Sequence, residues 1–244
     1  MTHALTVFAF PFAGGNRFSY RELSDRLPAD IRLHTFDYPG HGSRFKEAPL
    51  ADLDRITEDA FNQIRAQLET PYVIYGHSMG AQVGFKVVHR LWEAGLPMPR
   101  MVMFSGRKAP ENWHRDEHYH HLPKEAFFKK ISDLGGCPPA FLANPELRDL
   151  FEPILRADFQ SLELYEVTPS PRPLEIPIAV VTGTEEDIEP EHIANWQNET
   201  RQPLIRHQIE GGHFFIVERI EAFSTWMIET FSQCLELADQ SQSR

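Results

Sequence analysis

Between Tyr72 and Trp92 the chain passes from a short apolar, β-branched run, Tyr72-Val73-Ile74-Tyr75, through Gly76-His77-Ser78-Met79-Gly80, into a helix-like segment that begins at Ala81. A strand that becomes a helix across G-x-S-x-G leaves little choice of local architecture. The serine takes a sharp, strained turn at the end of the strand, with its hydroxyl held outward. The flanking glycines stand where side chains would strike the neighbouring strand and helix backbone. The helix that follows aims its free N–H groups and the positive end of its dipole at the same spot. A serine presented this way needs a base, an acid and an oxyanion site, and the rest of the chain can be searched for them.

The surrounding pattern supplies a sheet to hold the turn. Ala4 to Phe10, Ile31 to Tyr38, Arg100 to Ser105, Ile178 to Thr182 and Leu204 to Ile209 read as further strands. Helical spacing appears at Arg17 to Leu27, Asp52 to Leu68, Glu189 to Thr200 and Phe214 to about Leu237, with a polar, fraying tail from Ala238. Apolar strands alternating with helices predict an α/β fold, a mostly parallel central sheet with helices on both faces. The alternation stops near Arg107 and resumes after Pro173. Between them lie helical pieces at Lys124 to Leu134, Glu146 to Arg156 and Phe159 to Val167, a helical insertion placed where a lid would be.

Length and composition fit one soluble domain over residues 1–244, with 41% hydrophobic and 24% charged residues. No apolar run approaches a membrane span, and Met1-Thr2-His3 lacks the basic start of a signal peptide, so a cytoplasmic protein without membrane contact is expected. Two cysteines, Cys137 and Cys234, read as free thiols. A net charge of −11 speaks against nucleic acid as a partner.

His213 is the base to expect, because it follows a strand-like run and a Gly-Gly pair near the end of the chain. The acid belongs on an earlier strand-end loop. Thr184-Glu185-Glu186-Asp187 offers Asp187 as the preferred residue, the last carboxylate before the next helix, and Glu186 as the near alternative. The order Ser78, Asp187, His213 is that of α/β-hydrolases. Oxyanion donors are expected at the amide of Met79 and at Ala13, with Phe12 possible, on the glycine-rich loop after the first strand. His114, His118, His120 and His121 have metal-like spacing, but the charged residues among them favour a solvated stretch, and no metal is expected. Asp37, at the end of the second strand, reads as structural.

The motifs FPFAGG (from Phe10), YPGHGSR (from Tyr38), GHSMGA (from Gly76) and GGHFFI (from Gly211) together resemble the type II thioesterases, stand-alone editing enzymes of non-ribosomal peptide and polyketide synthesis. The resemblance spans Val7 to about Trp226. Its acid loop, GTEEDI, departs from the shorter acidic pair common in that family. The resemblance implies Ser78, Asp187 and His213 as the catalytic residues. It also implies an acyl or aminoacyl thioester carried on the phosphopantetheine arm of an acyl or peptidyl carrier protein, and no other cofactor. Phe12 and Arg44 would then border the arm, with a loop ion pair as the other reading of Arg44. Lys129 and Lys130, with Lys108, Arg115 and Lys124, would form a basic face for an acidic carrier. A monomer is expected. An esterase or acyltransferase acting on small or CoA-bound acyl groups is the alternative on the same residues.

Overall fold

The computed structural model describes residues 5–68, 71–113, 118–168 and 172–242. In chain order its elements are β1 (Leu5–Phe10), α1 (Arg21–Ser24), β2 (Ile31–Thr35), α2 (Leu53–Arg65), β3 (Tyr72–His77), α3 (Met79–Glu93), β4 (Val102–Ser105), α4 (Lys124–Asp133), α5 (Pro139–Leu142), α6 (Pro145–Glu163), β5 (Ile178–Gly183), α7 (Pro190–Ala194), β6 (Ile205–Ile209), α8 (Phe215–Glu218) and α9 (Ile220–Gln242). The strands form one six-stranded sheet in the order β2-β1-β3-β4-β5-β6, and every neighbouring pair is parallel.

The four inner strands are buried on both faces, which is why they are apolar almost throughout, while the edge strands β2 and β6 carry polar, exposed residues. Alternate side chains divide between two cores. Phe8, Phe10, Ile74, Phe104 and Val180 pack with α2, α3 and Trp196 on one face. Val7, Val73, Tyr75, Met103 and Val181 turn to the other, under Phe223, Met227 and Phe231 of α9. Among the described residues no helix is long and apolar enough to cross a membrane.

Several elements differ from their sequence reading, each for a local reason. The helix expected from Arg17 shrinks to Arg21–Ser24, because Asn16 and Ser19 side chains tie the preceding residues into turns: Phe18 donates to Asn16 Oδ1 and Asn16 to Ser19 Oγ. Past α7 the chain tightens into a 3-10 helix, Asn195–Glu199. The closing helix is interrupted at Arg219 and then continues to Gln242, past the point where fraying was expected. Its last residues are mostly good helix formers.

The insertion between β4 and β5 is helical, with no strand among its described residues. Its two later helical pieces are one helix, α6, continuous through Ala157 and Asp158. Its apolar side chains form a third cluster of Phe127, Phe128, Ile131, Leu155 and Phe159 that reaches Ala13 below. Two buried carboxylates fasten it. Glu163 accepts from the amides of Tyr119 and His120 and pairs with the His120 ring. His120 is therefore buried and paired, not solvated as expected, while His118 and His121 are exposed and His114 lies outside the described residues.

Asp158 makes the second attachment. Its Oδ2 accepts from the Gly14 amide at 2.7 Å and stands 3.0 Å from His41 Nε2. His41 Nδ1 lies 3.0 Å from the Pro39 carbonyl, which can only accept, so the ring carries protons on both nitrogens. Burial alone would lower the pKa of His41. Asp158, the Pro39 carbonyl and Asp37 outweigh it and hold the value above the ordinary imidazole range. A group whose folded pKa is raised contributes its stability in full below its unfolded value and loses it as pH rises through the folded one. Asp158→Ala, which strands a buried cation and an amide, should cost about 3 kcal/mol. Urea melts should show the gap between wild type and variant wide near about pH 6 and narrower near about pH 9; a gap that widens with pH contradicts the ion pair.

Candidate active site

The strand order places the site. From β1 the chain moves outward to β2 and then crosses back to β3 on the other side of β1, so the loops after β1 and β3 part in opposite directions. Such a switch point opens a crevice at the carboxyl ends of the strands. Ser78 stands there, directly after β3, with φ 55° and ψ −114°. It is the one described non-glycine residue with positive φ, a conformation costing about 1–3 kcal/mol. The amide of Ser78 donates to the Ser105 carbonyl at the end of β4 and braces the turn. A side chain at Gly76 would strike the Gly80 carbonyl, and one at Gly80 would strike the Phe10 carbonyl. The turn is thus tight against β1 on one side and bonded to β4 on the other.

The β1 loop approaches from its own side. Gly15 donates to the Phe12 carbonyl at 2.8 Å and closes a turn with Gly14 at φ +74°, a position that favours glycine. With the Gly14 amide held by Asp158, the amides of Ala13 and Met79 donate to no protein acceptor among the described residues. These are the two expected as oxyanion donors, and Met79 opens α3 at the positive end of its dipole.

His213 reaches the crevice from the loop after β6. The loops after β5 and β6 are zipped together: Thr184 donates to the Ile209 carbonyl, Glu185 to Gly211, and Gly211 to Thr184 Oγ1. Any side chain at Gly183 would hit the Gly211 and Gly212 carbonyls, so the contact requires glycine. The zipper brings Glu186, not Asp187, to the histidine. Glu186 Oε1 lies 2.6 Å from His213 Nδ1, and its Oε2 accepts from the Gly183 amide at 2.7 Å. The Glu186 side chain is 4% exposed, whereas Asp187 is exposed and turned away. The sequence preference for Asp187 is therefore corrected. The loop bends back after Gly183, and the third residue beyond it meets the strand-end amide. Counting from Gly183 would have found it. The carboxylate facing Nδ1 keeps a proton there and leaves Nε2 with a lone pair.

Ser78 and His213 line one cavity of about 190 Å³, together with Phe12, Ala13, Gly14, the Gly135–Pro138 turn, Leu155, Phe159 and Phe214. Apart from the serine and histidine its walls are almost wholly apolar. Cys137 is on that wall and Cys234 is buried on the inner face of α9; both are free. Beneath His213 lies a residue the sequence reading passed over. His77 is fully buried, with Nδ1 2.9 Å from Ser105 Oγ and its ring 4.7 Å from that of His213. Burial, with His213 beside it, holds its pKa well below the ordinary value, so it stays neutral.

Other expected site residues have structural employment. Arg44 spends all five guanidinium donors on Glu47, Asp59 and the Asp37 carbonyl, which leaves none for a substrate. It pins the loop after β2, so the ion-pair reading holds. Asp37 accepts from the amides of Arg17 and Ser43 and from the Ser43 hydroxyl. Lys124 is paired with Asp149 and Glu152, Lys129 lies 3.2 Å from Asp133, and Lys130 sits over the Tyr119 ring. Arg115 lies outside the described residues. Much of the expected basic bias is thus neutralised in place. Among the described residues no group of three or more His, Cys, Asp or Glu could hold a metal ion.

A family model described as a thioesterase domain matches residues 5–232. Linear gramicidin dehydrogenase LgrE of Brevibacillus parabrevis is 32% identical over 214 residues, covering 86% of this chain and 81% of that protein. Gramicidin S biosynthesis protein GrsT of Aneurinibacillus migulanus is 30% identical over 215 residues, covering 88% and 84%. Among solved structures, ClbQ from the colibactin NRPS/PKS pathway superposes with a TM-score of 0.90 at 25% identity, over 96% of this chain and 99% of that one. YbtT, a type II thioesterase from the yersiniabactin NRPS/PKS pathway, gives 0.83 at 30% identity, over 96% and 94%. A match that runs from the first residue of β1 well into α9, on a parallel sheet whose switch point carries a strained serine, makes this chain a member of the thioesterase family with the α/β-hydrolase fold.

Proposed function

We propose that the chain hydrolyses acyl or aminoacyl thioesters presented on the phosphopantetheine arm of carrier proteins in non-ribosomal peptide and polyketide synthesis. Ser78 is the nucleophile, His213 the general base and Glu186 the acid that orients it. The observation that carries this reading is the Glu186–His213 contact opening onto the same apolar cavity as Ser78. The pathways printed for GrsT, ClbQ and YbtT supply the substrate class. The dehydrogenase name of LgrE is not carried over. The first strand-to-helix turn here is Pro11-Phe12-Ala13-Gly14-Gly15-Asn16, without the G-x-G-x-x-G of dinucleotide sites.

Ser78 Oγ adds to the thioester carbonyl as His213 Nε2 takes its proton. The oxygen that becomes negative is met by the amides of Ala13 and Met79, each donor worth about 10²–10³-fold. The carbon–sulfur bond then breaks, and the pantetheine sulfur leaves with the proton from His213. Water, deprotonated by the same nitrogen, attacks the acyl-serine and releases the carboxylic acid. Side chains and amides carry every step, and the arm arrives with the substrate. The helical insertion is the lid over the acyl group. The protein works as a cytoplasmic monomer, a compartment that suits the thiols of Cys137 and Cys234. Lys129, 75% exposed in its side chain, remains the most available cation on α4 for an acidic carrier, with Lys130 beside it.

Three measurements follow. Ser78→Ala should abolish release of free acid from an acyl-loaded carrier while circular dichroism stays native. Glu186→Gln should lower kcat by roughly 10⁴-fold, as loss of the orienting carboxylate does in serine hydrolases, while Asp187→Asn should stay within about twofold of wild type; the reverse ranking would return the acid to Asp187. Reversing Lys129 and Lys130 to Glu should slow hydrolysis from a carrier and spare a small soluble thioester. Equal effects on both substrates would reject docking on α4.

A further inference from the structure

The cavity wall contains one aromatic ring whose position is set from both sides of the site. Phe214 follows His213 directly, so its backbone moves with the base. Unlike Phe215, which is buried in the core, Phe214 is only partly covered and lines the cavity. Its ring is held edge-to-face by Phe12 at 5.1 Å and by His213 at 5.2 Å, and it leans on His77 at 5.5 Å. The remaining side is closed by the insertion. A Cβ on Gly136 would lie 2.6 Å from Cδ1, Cδ2 and Cε1 of Phe214 alike, which places the bare backbone of Gly136 over the face of the ring. Gly136 has φ +74° and Gly135 φ +82°, so this turn presents two left-handed glycines to the aromatic.

We infer that Phe214 is a specificity-determining residue: it sets how bulky an acyl group can be close to the reacting carbonyl, and the bare backbone of Gly136 gives it room to stand there. The inference rests on the thioesterase reading above. Phe12 fixes the ring from the oxyanion loop and His213 fixes it from the base, so Phe214 cannot recede when a larger group enters. Ile131, Phe141 and Phe151 also line the cavity, from the insertion, and none of them is joined to the base as Phe214 is. Shortening Phe214 therefore adds volume beside the carbonyl carbon. A methyl group added at Gly136 would overlap the ring, which Phe12 and His213 hold in place, and would itself take up space in the cavity that Gly136 lines. Substitutions at these two positions should act in opposite directions and partly cancel when combined.

The test compares kcat/KM for acetyl-CoA and the branched 2-methylpropanoyl-CoA. Phe214→Ala should raise the ratio of branched to acetyl by about tenfold, the scale on which one or two methyl groups are discriminated in an apolar pocket. Gly136→Ala should lower that ratio, and the double variant should fall between them. If Phe214→Ala does not fold, Phe214→Leu reads the same ratio with a smaller expected rise. A ratio in the Phe214 variants unchanged from wild type, with both thioesters hydrolysed, overturns the inference. Wild-type protein that hydrolyses neither thioester, nor an acyl-loaded carrier, overturns the reading beneath it.

Discussion

The structure depends on one close approach, between the turn that carries Ser78 and the end of β1. Gly80 lies so near the Phe10 carbonyl that no side chain fits, and Gly76 is equally tight against Gly80. That contact forces Ser78 into a backbone conformation that other residues avoid. It also puts the start of α3 beside the β1 loop. The amides of Met79 and Ala13, the donors proposed for the oxyanion, lie at the ends of two strands that are neighbours in the sheet. The strain at Ser78 and the placement of these two amides are consequences of a single packing arrangement. The cost of the strain is spread over an extensive core on both faces of the sheet.

What lies above the turn is held by two buried carboxylates as well as by its apolar cluster. Asp158 reaches down from α6 to the Gly14 amide and to His41, and Glu163 grips the chain entering the insertion at Tyr119 and His120. Both carboxylates are nearly fully buried and both are satisfied. The insertion is thereby tied to the loop that bears Ala13, and not merely laid across it. A fixed roof over an apolar cavity suits the exclusion of water from a reacting thioester. It also means that stability of the insertion and geometry of the oxyanion loop share the same bonds.

The parallel sheet, the serine turn and the histidine loop were legible because each rests on local chemistry. Alternating apolar strands, paired glycines and a strand-to-helix switch are properties of short segments. The acid was not legible to the residue. Glu185, Glu186 and Asp187 are three carboxylates in a row, and which one turns inward depends on the Gly183 amide and on the zipper to Gly211. The continuity of α6 was hidden for a related reason. In the sequence reading Ala157 and Asp158 fall between two helical pieces, yet the Asp158 carboxylate is committed to groups 117 and 144 positions away in sequence. Likewise Arg44 and His120 looked available or solvated, and tertiary partners consume both. Sequence spacing sees neighbours along the chain, and these residues are explained by neighbours across it.

The claim at the centre of this account is that Glu186 holds a proton on Nδ1 of His213, leaving Nε2 to accept one from Ser78. The most direct measurement is the low-field proton NMR signal of that Nδ1–H. Wild type and Asp187→Asn should both show it, and Glu186→Gln should shift it strongly upfield or lose it. A signal that survives in Glu186→Gln and vanishes in Asp187→Asn would contradict the account.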